Sequence, residues 1–84
     1  MIQETSLIAY ANIKHLLAER QRQVYIALAS LKEATNKMIE RQSGIPINAV
    51  TARIFELRAL GLVKESYKDI CPITKHKAIF WKVI

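Results

Sequence analysis

Side chains able to bind a nucleic acid are concentrated in the second half of this 84-residue chain. Asn48 and Thr51 lie about one helical turn apart, and a carboxamide and a hydroxyl have the donors and acceptors that hydrogen-bond base edges. A segment near the carboxyl end carries Lys75, His76 and Lys77 in succession, and their charge suits phosphate contacts. These groups predict binding to double-stranded DNA.

Residues that support catalysis or metal binding are sparse. Cys71, His76 and His15 give at most three zinc ligands at unsuitable spacing, whereas a structural zinc site uses four. No Ser/His/Asp arrangement is visible, since Asp69 is the single aspartate, and two isolated glycines cannot form a phosphate-binding loop. Cys71 is expected to be a packed thiol beside Pro72. We therefore expect no enzyme activity, no cofactor, no metal site and no small-molecule substrate.

The charge distribution indicates a polyanionic partner. The formal net charge is +6, and residues 41–84 carry eight Lys or Arg against three acids, compared with five against four in residues 1–40. The hydrophobic content of 51% is enough for the core of one domain spanning residues 1–84. No apolar run reaches the ~18–20 residues of a membrane span. With a single cysteine and no signal-like start, we expect a cytoplasmic protein without a membrane partner.

Helical periodicity dominates the first half of the chain. Apolar residues recur at helical spacing over residues 7–17 and again over 24–31, with no Gly or Pro between them. They predict either one long helix or two helices with a bend near residue 18. After a polar break, Thr35 is a good N-cap for a short helix that ends at Gly44.

A third helix and two strands complete the predicted elements. The helix begins after Pro46, runs from about 47 to 60 and stops at Gly61. Its buried stripe consists of Val50, Ile54 and Leu57. Strands are predicted at 62–67 and 77–84, where the helical period gives way to alternation. The inward face of the second strand consists of Ile79, Trp81 and Val83.

Several motifs carry a resemblance to a known class of protein. Gly44 and Val50 have the separation typical of a helix-turn-helix unit, and Leu57 to Val63 is similar to the Leu-x-x-x-Gly-Leu-Val junction of winged helix-turn-helix proteins. The chain also resembles small phage- or prophage-encoded winged-helix proteins. The pieces that match are Glu4-Thr5-Ser6, Arg20-Gln21-Arg22-Gln23-Val24, Ala34-Thr35-Asn36, Pro46-Ile47-Asn48, Arg53-Ile54, Glu56-Leu57-Arg58 and Cys71-Pro72-Ile73-Thr74 leading to Trp81. The resemblance implies a mainly α fold with a small β-hairpin: a three-helix core, a wing and an extra N-terminal helical segment.

The outward face of the third helix carries the candidate base-reading residues. Asn48 suits adenine, with a simple helix-start role as the alternative, and Thr51 suits a base edge or a phosphate. Ala52 is placed to touch a thymine methyl group. Phe55 is unusual here because related sequences mostly have a polar residue, so core beneath the wing, a protein interface and thymine contact all stay open.

Further cations surround this helix. Arg53, towards the buried flank, is expected to hold a phosphate or to pair with Glu56 or Glu40. The residues expected to form a basic belt with the wing are Lys37, Arg41 and Arg58. The wing itself, Lys75-His76-Lys77, is expected to contact a minor groove or phosphates, with a solvated hairpin tip as the alternative. Related proteins often have a glycine near this turn, which leaves its geometry open here.

These observations predict a sequence-selective DNA-binding protein, of the phage or prophage transcriptional regulator or nucleoprotein type. A single small domain makes a small interface, so a homodimer through the N-terminal helix at residues 6–17 is the expected assembly. The alternative is a winged-helix adaptor that binds proteins in a replication, recombination or transcription complex. The outward apolar residues of the third helix support that alternative, whereas the basic second half supports DNA.

Overall fold

The computed structural model describes residues 13–84. Its elements are a 3-10 turn at Lys14–Leu16, α1 at Glu19–Leu31, β1 at Glu33–Ala34, α2 at Asn36–Ser43, α3 at Ile47–Ala59, β2 at Val63–Ile70 and β3 at Lys77–Val83. Leu17 and Ala18 have extended backbone between the turn and α1. The predicted break near residue 18 is therefore confirmed, and one continuous helix is wrong. Most of the predicted helical segment at 7–17, and the dimer contact expected from it, lie outside the described residues.

The ends of α2 and α3 follow the predicted signals. The hydroxyl of Thr35 accepts a hydrogen bond from the backbone N–H of Met38 at 3.2 Å, which satisfies one of the free donors of the first turn of α2. Gly44 ends this helix with φ of 76°, a left-handed conformation in which a Cβ atom is strained. Pro46 is the N-cap of α3. The two helices are therefore separated by a turn of only three residues.

The sheet contains one strand more than the sequence predicts. Its three antiparallel strands lie in the order β1-β3-β2, and Ala34 of β1 pairs with Trp81 of β3. The sequence predicts only a polar break there, because two residues are too short to show alternation. Strand β2 extends to Ile70, three residues beyond its predicted end, and a bulge interrupts its pairing with β3 between Glu65 and Tyr67.

One core joins the three helices to the sheet. Val24 and Leu28 of α1 meet Ile39 of α2 and the α3 stripe, and all of these side chains are buried. The buried stripe of α3 is Val50, Ile54 and Leu57, as predicted. Burial of each large apolar side chain contributes about 1.5–3 kcal/mol. In the described part of the chain, no helix is long and apolar enough to cross a membrane.

The two faces of β3 serve different clusters. Trp81 is buried in the main core, and Ile79 and Val83 pack against it, as the alternation predicts. On the other face, Phe80 is buried and stacks on Tyr67 of β2, with ring centroids 4.7 Å apart and ring planes inclined by 9°. The hairpin is thus held from both sides, which fixes the wing loop relative to α3.

Candidate nucleic-acid interface

The orientation of α3 is fixed by polar contacts at both of its ends. At the start, the Glu40 carboxylate accepts a hydrogen bond from the backbone N–H of Ile47 at 2.9 Å. Near the other end, the carboxamide of Gln21 donates to Glu56 at 2.9 Å and so connects α1 to α3. The buried stripe fixes the rotation of the helix about its axis. The remaining face is therefore held outward on a rigid frame.

The outward face of α3 is the one that the helical wheel predicts. Asn48, Thr51 and Ala52 are all exposed. The hydroxyl of Thr51 accepts a hydrogen bond from the Asn36 carboxamide, the first residue of α2, at 3.3 Å. Sequence reasoning missed this contact because the two residues are 15 positions apart and no local pattern connects them. It orients one candidate base-reading side chain before any ligand binds.

Arg53 is bound within the protein. Its Nε donates to the Glu56 carboxylate at 2.7 Å and its Nη2 donates to the other oxygen at 2.9 Å. Of the two partners considered from the sequence, the structure shows Glu56. The Arg53 hydrogen bonds, followed by that from Gln21, hold the pKa of Glu56 below its ordinary value of 4.5, against a smaller opposing effect of desolvation. The carboxylate is therefore ionised and the pair intact at neutral pH.

Arg58, in the last turn of α3, contacts the aromatic core. Its guanidinium carbon lies 5.3 Å from the centroid of the Trp81 ring, within the range of a cation–π interaction. The side chain remains exposed to solvent. Arg58 thus sits where α3 meets β3 and presents a charge at that junction.

Phe55 is not part of the core. Its side chain is 74% exposed, so the interpretation that places it beneath the wing is wrong. The ring borders a shallow groove of about 210 Å³ between α3 and β3, which Arg58, Ile79 and Trp81 also line. The helix turns this position outward because it lies opposite the stripe of Val50, Ile54 and Leu57. Contact with a protein and contact with thymine both remain open for Phe55.

The wing loop presents its three basic residues to solvent. Lys75, His76 and Lys77 are exposed where the loop enters β3. The loop is closed by two backbone hydrogen bonds: the N–H of Cys71 donates to the His76 carbonyl at 2.9 Å, and the N–H of Lys75 donates to the Cys71 carbonyl at 2.8 Å. Lys75 adopts φ of 65°, the left-handed conformation that a glycine supplies in many turns.

The two cations of α2 occupy different positions relative to the wing. Lys37 shares a groove of about 190 Å³ with Thr74 of the wing loop. Its ammonium also pairs with Glu40 at 2.5 Å. Arg41 is exposed one turn further along the same helix. Lys37 therefore lies beside the wing, as the basic belt requires, while Arg41 extends the positive surface away from it.

The thiol of Cys71 connects the base of the wing to the start of α2. It is buried, and its sulfur lies 3.1 Å from the Thr35 hydroxyl. Burial raises the pKa of this thiol. Hydrogen bonds from Thr35, from the backbone of Thr74 and Ile73, and from the Thr74 hydroxyl outweigh that effect and lower the pKa from 9.0 to about 7. Among residues 13–84, no group of three or more His, Cys, Asp or Glu is arranged to hold a metal ion.

These elements form a winged helix-turn-helix fold: α2 and α3 form the helix-turn-helix, and β2 and β3 form the wing. Two solved structures share the fold. The reduced form of MarR from E. coli matches with a TM-score of 0.66 and 18% identity, over 100% of this chain and 67% of that one. A structure of the multiple antibiotic resistance repressor MarR matches at 0.64 and 17%, over 100% and 66%.

The likeness to MarR is limited to the fold. No family model matches the sequence, and no curated protein matches it. At these identities the structural likeness shows the fold alone, and the chain spans about two thirds of the length of each MarR chain. Nothing in the comparisons supports the resemblance to phage-encoded proteins. The winged-helix expectation itself is confirmed.

Proposed function

We propose that this chain is a transcriptional regulator that binds double-stranded DNA, with α3 in the major groove and the wing on the phosphate backbone. The observation that carries the proposal is the exposed, polar start of α3 together with a wing loop that presents three exposed basic residues. An α-helix fits the major groove, and in helix-turn-helix proteins the start of the second helix contacts the base edges. Asn48 and Thr51 are at that start and face outward.

The charges around α3 suit the phosphates that flank such a groove. Lys75 and Lys77 extend from the wing, Lys37 lies beside it, and Arg58 stands at the far end of the helix. Phosphate contacts position a protein on the duplex, and base contacts give it selectivity. These four cations form a rim suited to phosphates, and the neutral outward face of α3 that they surround is suited to bases. We place Arg41 in the same rim.

The structural likeness to MarR favours regulation as the role. MarR is a multiple antibiotic resistance repressor, and its fold matches that of this chain over the full length of the chain. A single domain of this size buries a small surface on DNA, so we expect two copies to bind together. The phage or prophage origin and the dimer contact through residues 6–17 belong to this proposal as expectations.

A protein-interaction adaptor is the second candidate, and one observation favours it. Phe55 is 74% exposed in the middle of the outward face, and large exposed aromatic rings are enriched in protein interfaces. In that case α3 packs against a protein surface and the basic residues serve solubility. Fold alone does not decide between the two functions.

Fluorescence anisotropy with duplex DNA over a salt series tests the proposal. Random-sequence duplexes should bind with an affinity that falls steeply with salt, and duplexes enriched by selection should bind more tightly. Asn48→Ala should weaken binding to the selected duplex by about 1–3 kcal/mol and leave random duplexes unchanged. Gln23→Ala, an exposed carboxamide on α1, is the matched control and should leave both affinities unchanged.

The adaptor predicts a different result. Phe55→Ala should then dissolve a protein complex or self-association in sedimentation, and Asn48→Ala should be silent on every duplex. No duplex binding even at low salt would also contradict the DNA-binding proposal.

A further inference from the structure

The outward face of α3 offers a base edge only neutral groups. Asn48, Thr51, Ala52 and Phe55 are exposed and carry a carboxamide, a hydroxyl, methyl groups and an aromatic ring. Guanine is most often recognised by an Arg or Lys side chain that donates to its O6 and N7 atoms. Adenine is recognised by a carboxamide, and thymine presents a methyl group to apolar contact. The composition of this face therefore suits A·T pairs.

The cationic side chains of α3 are engaged in contacts inside the protein. Arg53 donates from two nitrogen atoms to Glu56, and Arg58 lies over the Trp81 ring. Arg53 has to give up its contact with Glu56 to present this donor edge to a guanine. Arg58 keeps its N–H groups available, but it lies in the last turn of α3, away from the start of the helix that contacts base edges. Near its start, α3 therefore has no free Arg or Lys side chain of the kind that usually recognises guanine.

The contact between Asn36 and Thr51 adds a directional preference. The Thr51 oxygen already accepts a hydrogen bond from Asn36, and its hydroxyl hydrogen remains available as a donor. The acceptors in the major groove are purine N7, guanine O6 and thymine O4. Thr51 beside the methyl group of Ala52 therefore matches thymine, which places an acceptor next to a methyl group.

We propose that α3 selects T·A-rich sites by contacting thymine 5-methyl groups, with Ala52 and Phe55 against the methyl groups and Asn48 on an adenine. The proposal rests on the DNA-binding function above and names the base pairs that it prefers. From Asn48 to Phe55 the helix rises by about 10.5 Å, so a helix lying in the major groove brings these residues against neighbouring base pairs. The same span thus covers an adenine and the neighbouring thymines.

Duplexes that differ only in the methyl group test the proposal. Four hairpin-closed duplexes of equal length carry alternating A·T, A·U, G·C or G·5-methylcytosine pairs, and their affinities for the full chain are measured at one salt concentration. Uracil lacks only the thymine methyl group, so the A·T duplex should bind about fourfold more tightly per contacted methyl, the factor that burial of one such group supplies. Methylated cytosine should raise the affinity of the G·C duplex in the same direction.

Variants at Phe55 assign the contact. Phe55→Ala should bring the affinities for the A·T and A·U duplexes closer together and leave the salt slope unchanged, whereas Phe55→Leu, which keeps an apolar side chain, should retain most of the difference. Ile26→Ala is the matched control because Ile26 is an apolar side chain that is 40% exposed on α1, outside both the helix-turn-helix and the expected dimer contact at residues 6–17.

The outcomes separate this inference from the function on which it rests. Equal affinity for the A·T and A·U duplexes, or tighter binding of the G·C duplex, overturns the inference and leaves salt-dependent DNA binding intact. If Phe55→Ala keeps the thymine preference and loses self-association, Phe55 does not contact DNA. That result overturns the assignment of Phe55 to the thymine methyl groups. Failure to bind all four duplexes overturns the proposed function and the inference together.

Discussion

Glu40 accepts a hydrogen bond at 2.9 Å from the backbone N–H of Ile47, the first residue of α3, across the turn between the two helices of the helix-turn-helix. That N–H is one of the donors that a helix start leaves unpaired. The same carboxylate pairs with Lys37 at 2.5 Å. A side chain of α2 therefore caps α3 and helps to fix the angle at which α3 projects.

Glu40→Gln should destabilise the protein at neutral pH and have little effect in acid. The hydrogen bond from Lys37 is the main reason that the pKa of Glu40 lies below 4.5; desolvation opposes it, and Ile47 and Arg41 add to it. A carboxyl group with a lowered pKa in the folded state stabilises the fold above its ordinary pKa, and this contribution is lost as pH falls through the lowered value. Urea unfolding followed by circular dichroism over a pH series measures the difference.

Glu65→Gln is the control for that experiment, since Glu65 is an exposed carboxylate on β2. Its unfolding midpoint should differ from that of the wild type by much less than the Glu40 variant does. A Glu40→Gln deficit that stays constant down to strongly acidic pH would contradict the role of the ionised carboxylate.

Removal of the wing charges should weaken DNA binding equally for all sequences. Lys75→Asn together with Lys77→Thr suits the local backbone, because Asn tolerates the left-handed conformation of Lys75 and Thr favours a strand. Each lost phosphate contact should flatten the dependence of log affinity on log salt by roughly 0.9. Lys32→Asn with Arg20→Thr is the control, because it removes two exposed charges outside the helix-turn-helix and Lys32 has a positive φ, as Lys75 does. A wild-type slope in the wing variant would show that the wing is not on the DNA.

Local signals account for the part of the fold that the sequence predicts. Thr35 and Gly44 bound α2 because a hydroxyl cap and a left-handed glycine act within a few residues of their own position. The burial of Val50 and Leu57 is predictable because the spacing of apolar residues alone identifies the inner face of a helix. Strand β1 was missed because its two residues form a strand only by pairing with Lys82 and Trp81 of β3.

The candidate interface divides in the same way. Exposure of Asn48 follows from the helical wheel, so it is predictable from the sequence. The contact of Asn36 with Thr51 and that of Thr35 with Cys71 are not, since the partners are 15 and 36 residues apart and meet only after the helices and the wing have packed. Tertiary packing decides which polar side chains face each other, and periodicity carries no information about it.

Cys71 should titrate near neutral pH in the folded protein. It is the single cysteine, so the ultraviolet absorbance of the thiolate reports on it alone. The midpoint should be about 7, and Thr35→Val should raise the pKa because it removes a donor to the sulfur. Since the pKa is lowered from 9.0, the thiolate should stabilise the fold increasingly as pH rises from about 7 to about 9.

A conservative variant and a contrary outcome test whether the Thr35 hydroxyl lowers the pKa of Cys71. Thr35→Ser retains the hydroxyl group and should keep the midpoint near that of the wild type. A Thr35→Val protein that titrates at the wild-type pH, while remaining folded by circular dichroism, would show that the hydroxyl has no influence on the thiol.

Asn36→Ala should separate stability from selectivity. The Oδ1 atom of Asn36 is buried and has no hydrogen-bond partner among residues 13–84, and an unsatisfied buried acceptor costs about 1–3 kcal/mol. Its amide nitrogen, however, holds the Thr51 hydroxyl in place. Removal of the carboxamide should therefore leave the free energy of unfolding nearly unchanged or raise it. At the same time, discrimination between a selected duplex and random DNA should fall by up to about 1–3 kcal/mol, because Thr51 loses its fixed orientation. Urea unfolding and anisotropy on the two duplexes measure both quantities.

Thr51→Val should reduce discrimination to a similar degree, and the double variant should lose little more, since both changes act on one hydrogen bond. Fully additive losses would show that Asn36 and Thr51 act independently.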